Sequence, residues 1–113
     1  MQPDPPVTDA PLLTRTVVDS GLNNPWDIAF APDGALFYTE RSAGLSVRRV
    51  DGSRTRLFGT TGSALVATDF FCAGQSGMHG VALDPDFATN RRVYVYMASN
   101  ITTSPRANRV VRL

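Results

Sequence analysis

Gly74-Gln75-Ser76-Gly77-Met78-His79-Gly80-Val81-Ala82-Leu83-Asp84-Pro85-Asp86-Phe87 joins a glycine-rich polar loop to a short apolar strand and a Pro-Asp turn. Earlier, Trp26-Asp27-Ile28-Ala29-Phe30-Ala31-Pro32-Asp33-Gly34 carries a similar apolar stretch, the same Pro-Asp and a further strand behind it. Pro32 and Pro85 stand 53 positions apart. That is the length of one blade of a β-propeller or of a similar β repeat.

Outward from this repeat the chain is punctuated every ten residues or so. Residues 26–31, 35–39, 45–50 and 54–58 read as four short strands built from β-compatible residues. Pro32-Asp33-Gly34, Ser42-Ala43-Gly44 and Asp51-Gly52 supply the turns between them. Such spacing predicts an antiparallel meander. Residues 12–20, centred on Val17 and Val18, are expected to form a strand ahead of it, followed by the turn cluster Gly21-Leu22-Asn23-Asn24-Pro25. The second unit starts with a strand at 78–83, then a longer turn at 84–91 and a strand at 92–98. In that strand Val93, Val95 and Met97 alternate with Tyr94 and Tyr96, so both faces are expected to be buried between layers. Residues 99–107 read as a loop and 108–113 as a further strand. No segment holds a helical period long enough to compete.

Composition narrows the field. The chain has 113 residues and a net charge of +1, which favours neither nucleic acid nor an acidic membrane surface as partner. No apolar run approaches the roughly 20 residues of a membrane span. Residues 1–11 hold four prolines and no periodicity, and read as a disordered or extended arm before a propeller portion at 12–113. They show neither the basic nor the apolar region of a signal peptide. All eleven basic residues are Arg, whose planar fork suits carboxylate and phosphate groups, although composition alone does not assign such a role. Cys72 is the single cysteine, so it makes no internal disulfide and, alone, no metal site.

Strand polarity places the connections. In an antiparallel meander the start of one strand and the end of the next share an edge. Residues 59–77, 41–44 and 99–107 are therefore expected on one face, and the Pro-Asp turns on the other. The 59–77 connection is far longer than usual, and long loops gathered at one end of a rigid β scaffold are where function usually sits. The final strand has no partner following it, and two blades cannot close a ring. The expectation is the N-terminal part of a longer protein; six blades need roughly 320 residues.

Asn24-Pro25-Trp26-Asp27-Ile28-Ala29-Phe30, Pro32-Asp33-Gly34, Thr39-Glu40-Arg41 and the stretch from Gly74 to Phe87 together resemble the soluble PQQ-dependent sugar dehydrogenases, the glucose/sorbosone dehydrogenase family of six-bladed β-propellers. The likeness runs from about Leu12 to the end of the chain. It implies an all-β fold: one and a half to two antiparallel four-stranded blades of a six-bladed propeller. It also implies a reaction in which a sugar hydroxyl is oxidised by hydride transfer to pyrroloquinoline quinone (PQQ), with calcium polarising the quinone and a histidine as base. A sugar, an electron acceptor, a homodimeric assembly and a periplasmic or secreted location are implied with it. The family's catalytic histidine, calcium ligands and most cofactor-binding cations lie beyond Leu113, so no catalytic or metal residue is assigned here and this portion alone is expected to be inactive.

Three residues are candidates for proximity to substrate or cofactor. Gln75 matches the family's glutamine near cofactor and sugar, and an amide donates and accepts at once without adding charge. Arg41 offers a fork to a cofactor carboxylate; the competing role is an ion pair with Glu40 or Asp69 that pins the loop. His79 is either pocket-lining or a packed histidine satisfied by backbone, and it is not the family's base. Trp26 is expected to be core between blades. Asp84 and Asp86 are read as turn-forming rather than calcium-binding. Gly74, Gly77 and Gly80 make no phosphate loop, because neither Lys nor helix follows. Two further classes stay open: a non-catalytic propeller that binds carbohydrate or protein, and a metal-dependent propeller lactonase.

Overall fold

A computed structural model describes residues 10–113. The proline-rich arm expected at 1–11 lies outside the described residues except at its last two positions. Two β-sheets carry the fold. The first contains β1 (Pro25–Phe30), β2 (Leu36–Glu40), β3 (Gly44–Arg48), β4 (Arg54–Gly59) and β5 (Leu65–Val66), neighbours in that order. Strands β1 to β4 form the antiparallel meander that the turn spacing predicts, while β5 adds a short parallel edge to β4. The second sheet contains β6 (Met78–Leu83), β7 (Val93–Thr103) and β8 (Arg106–Arg112), again antiparallel neighbours. This is the architecture of successive propeller blades; among the described residues the only helical element is the turn α1 (Phe87–Asn90).

The repeat in the sequence is a repeat in space, down to an irregularity. In the first sheet the register passes from Pro25 opposite Glu40 to Ile28 opposite Tyr38, with one extra residue on β1. In the second it passes from Met78 opposite Met97 to Val81 opposite Val95, with the same extra residue on β6. Each bulge sits 53 positions from its counterpart. A bulge leaves one residue out of the ladder and tightens the local twist.

The sheets bury a common core. Phe37, Leu45, Val47 and Phe58 from the first meet Met78, Val81, Val95 and Met97 from the second. Alternation sets this, because residues two apart on a strand share a face. Each fully buried side chain of this size contributes about 1.5–3 kcal/mol relative to exposure. Phe87 closes the core from α1, its ring edge-on to Phe37 at 5.5 Å between centroids.

Several expectations are corrected. Residues 12–20 form no strand; Leu12, Leu13, Val17 and Val18 are exposed, and the segment is tied down by an Asp19–Arg54 ion pair at 3.2 Å. β-branched residues make a strand only when a neighbour completes the ladder, and none does here among the described residues. The turn at 84–91 contains α1, ended by Arg91 in the left-handed conformation at φ 57°. The loop at 99–107 is mostly the far end of the β7–β8 hairpin. The 92–98 strand buries Val93, Val95 and Met97 on one face, but on the other only Ala98 is buried, Tyr94 is half-buried and Tyr96 is 41% exposed. Among the described residues no helix is long and apolar enough to cross a membrane.

Candidate functional site at the loop end of the sheets

The connections gather as strand polarity requires. Thr60 N–H donates to the Ala43 carbonyl at 3.0 Å, joining the long connection to the β2–β3 turn. Phe71 N–H donates to Ala98 O at 3.1 Å and Asn100 N–H to Asp69 O at 2.8 Å, joining it to the β7–β8 hairpin. Side chains reinforce the second seam. The Ser99 hydroxyl donates to Asp69 Oδ2 at 2.6 Å, and Arg109 reaches the same oxygen at 2.9 Å. The Ser99 hydrogen bond, with help from Arg109 and against the cost of burial, holds the Asp69 carboxyl below its ordinary range. Arg106 also lies over the Phe71 ring at 3.9 Å. Pro-Asp turns occupy the opposite end, beside an apolar cleft of about 700 Å3 lined by Phe37, Leu57, Leu65, Phe87 and Leu113.

Gln75 rides on a tight turn at the loop end. Ser76 N–H donates to Ala73 O at 3.1 Å, and the Ser76 hydroxyl both donates to Ala73 O and accepts from Ala73 N–H, at 2.6 and 2.7 Å. The Gln75 side chain is exposed and makes no hydrogen bond among the described residues, so its amide is free for a ligand.

Arg41 sits behind this turn and grips it. Its Nη1 donates to the carbonyls of Gly74 and Ser76, the residues on either side of Gln75, the latter at 3.2 Å. Its own backbone joins both repeats: Arg41 N–H donates to Asn24 O at 3.0 Å, and Arg41 O accepts from Met78 N–H at 2.9 Å. Gly77 has φ 129°, and a Cβ there would collide with Arg41 O. The second glycine of the Gly-Gln-Ser-Gly run thus serves the approach of Arg41. The expected ion pair with Glu40 or Asp69 is not formed: Glu40 accepts from Asn23 N–H at 2.7 Å, and Asp69 pairs with Arg109. Loop pinning is present, but its acceptors are backbone carbonyls.

His79 lies one strand residue past the loop. Its ring stacks on Trp26 at 4.3 Å and faces Tyr96 at 6.3 Å. Its Nε2 is buried without a partner among the described residues, so the expected backbone satisfaction of the side chain is absent. Trp26 is 51% exposed, half in the interface rather than core. The structure brings Arg41 against the Gln75 loop and leaves His79 in a separate aromatic stack.

Sequence reasoning missed Asp27. Its carboxylate accepts Ile28 N–H at 2.9 Å on one oxygen and Val81 N–H at 3.0 Å on the other. Those are equivalent amides at the two bulges. Thr39, fully buried, completes the seam: its hydroxyl accepts Asp27 N–H at 3.2 Å and donates to the His79 carbonyl at 2.5 Å. The available signal was a break in the repeat, since Asp27 in the first copy is Gly80 in the second. Asp84 and Asp86 do form a turn: Asp84 accepts Asp86 N–H at 2.9 Å and the Tyr94 hydroxyl at 3.0 Å. No group of three His, Cys, Asp or Glu that could hold a metal occurs among the described residues.

Two β-sheets, stitched through β1 and β6 and carrying a braced glutamine loop at one end, define a portion of a β-propeller. The chain belongs to the glucose/sorbosone dehydrogenase family, whose profile matches residues 22–113. It is 34% identical over 90% of its length to an uncharacterized protein of Synechocystis, and covers 25% of that protein. It is 32% identical over 72% of its length to quinoprotein glucose dehydrogenase B of Acinetobacter calcoaceticus, covering 16% of it. Among solved structures, the PQQ-bound aldose sugar dehydrogenase of Streptomyces coelicolor superposes with a TM-score of 0.68 at 31% identity, over 86% of this chain and 26% of that one. A glucose dehydrogenase superposes with a TM-score of 0.71 at 28% identity, over 86% and 29%. The chain therefore spans about a quarter or less of the curated relatives it matches.

Proposed function

We propose that this chain supplies the opening sheets and the glutamine loop of a PQQ-dependent sugar dehydrogenase. The carrying observation is the exposed, unbonded amide of Gln75, held on a braced turn at the end of the sheets where the loops converge. When bound, PQQ supplies the hydride acceptor. The chain's own part is binding and orientation: the Gln75 amide can donate to one oxygen and accept from one hydroxyl, which suits a quinone oxygen beside a sugar. Calcium belongs to the proposal only for the longer protein, and there it rests on the family likeness. We also propose a periplasmic or secreted location, which rests on the family likeness.

The test uses the polypeptide that carries this chain together with the remaining sheets. Loaded with PQQ and calcium and given an aldose, it should reduce a dye acceptor. Gln75→Ala should lower turnover about tenfold or more while leaving Tm within about 2 °C, since an exposed loop amide contributes little to packing. Matching losses of fold and activity would make Gln75 a structural residue. No dye reduction with any aldose would refute the enzyme reading.

A further inference from the structure

Among the described residues Arg41 is the one side chain that hydrogen-bonds to both residues flanking Gln75. Its Nη1 donates to the Gly74 and Ser76 carbonyls, while its backbone is locked on both sides, to Asn24 O and Met78 N–H. Gly77 lets this happen, because a side chain at 77 would collide with Arg41 O and Cγ. Arg41 itself is half-buried behind the turn. Cys72 and Ser42, 3.0 Å apart, close the same region from the side. A single nitrogen that bonds two carbonyls across one residue fixes the direction in which that residue projects. We propose that Arg41 is a positioning residue, acting on the reaction through Gln75, and not a ligand to the carboxylates of PQQ. This rests on the sugar dehydrogenase reading and adds a role to it.

A charge alone does not reproduce the grip. Both bonds leave one nitrogen, Nη1; a lysine side chain ends one bond short of that position on a flexible stem, so its ammonium does not reach both carbonyls in the same geometry. Misplacing a positioned group by about 1 Å can cost about 100-fold in rate. Groups that act through one another give non-additive losses.

The experiment is a double-mutant cycle in the complete polypeptide, with Arg41→Lys, Gln75→Ala and the pair together. Three readouts accompany it: kcat with an aldose, PQQ affinity, and hydrogen exchange at the Ser76 and Met78 amides. Arg41→Lys should lower kcat about tenfold or more. The double variant should match Gln75→Ala within about twofold, and PQQ affinity should hold within about threefold. Ser76 and Met78 should exchange about tenfold faster, while Val95 in the core is unchanged. Losses that multiply in the double variant would overturn the proposal. So would a fall in PQQ affinity as large as the fall in kcat, which would make Arg41 a cofactor ligand. Unaltered exchange at Ser76 would show that the grip is not holding the turn. Arg41→Met is the second variant; if both substitutions abolish cooperative unfolding, Arg41 is a scaffold residue and the proposal fails. If Gln75→Ala alone leaves turnover intact, the reading of the site itself fails, and the proposal with it. The exchange data then still report whether Arg41 holds the turn.

Discussion

In β1 the bulge holds Trp26-Asp27; 53 residues on, in β6, the same bulge holds His79-Gly80. The backbone is alike in the two places, and the register breaks at the same step. The side chains are not alike. Asp27 bridges both bulges by accepting Ile28 N–H and Val81 N–H, and the Thr39 hydroxyl holds the Asp27 amide in turn. At the matching positions of the second sheet stand Gly80, which has no side chain, and Tyr96, whose ring faces His79 instead. The repeat therefore conserves a shape, and each copy meets its own neighbour with different chemistry. Trp26 and His79 make the point most plainly, because these equivalent residues stack on each other across the seam.

The largest effect should come from breaking what both sheets share. Met97, fully buried opposite Met78, lies at the centre of the common core. Met97→Ala should cost about 2–5 kcal/mol through lost transfer energy and a cavity, read by denaturant unfolding. Next is the seam itself. Asp27→Ala removes the acceptor of two amides at once and should cost about 1.5–3 kcal/mol, toward the lower figure because Asp27 is only half-buried. The reciprocal change, Gly80→Asp, has room, with Asp27 Oδ2 as the nearest atom at 3.8 Å. It should not build a second stitch. Two carboxylates side by side repel, so a loss of about 0.5–1 kcal/mol is expected, shrinking in the Asp27→Asn background. A gain in stability would show that the two bulges can exchange their side chains after all.

Smaller effects separate the loop glycines. Gly77→Ala collides with the backbone of Arg41, whereas at Gly74, with φ 59°, an added Cβ would meet nothing within 4 Å. Gly74→Ala should then cost only the left-handed backbone penalty of about 1–2 kcal/mol, and Gly77→Ala clearly more, as compared by thermal unfolding. The smallest effect concerns pH. Asp69 has its folded pKa depressed below the ordinary 3.8, so its contribution is fully present above that value. It is lost as pH falls through the folded value. The wild type should lose more stability between about pH 5 and strong acid than Asp69→Asn, which has no proton to gain. Equal acid sensitivity would mean that Ser99 and Arg109 do not hold the carboxylate.

The Pro-Asp pairs and the apolar runs between them made the repeat legible, because a strand's period and its turn residues are local properties. For the same reason the four-stranded meander and the gathering of loops at one end could be read from spacing alone. What was not legible depends on distant partners. Asp27 looks like an ordinary residue after a Pro-Trp, and its acceptor role exists only because Val81 arrives beside it. Arg41 carries an obvious charge, but nothing local says that its acceptors are carbonyls rather than carboxylates. Val17 and Val18 have strand character and no ladder to join. Residues 100–106 look like a loop, yet β7 runs on to Thr103 and β8 opens at Arg106, the two paired with each other. Gln75 stands out through its setting between glycines, and its exposure agrees with a role toward a ligand without assigning one.

The fold and the site both require β1 and β6 to be equivalent strands laid side by side with one carboxylate serving both. Hydrogen exchange in Asp27→Ala reads this at two amides far apart in sequence. Ile28 and Val81 should lose protection together by about tenfold, while Phe37 and Val95 keep theirs. Faster exchange at Ile28 with Val81 unchanged would mean that the two bulges do not share Asp27, and the stitched seam would be wrong.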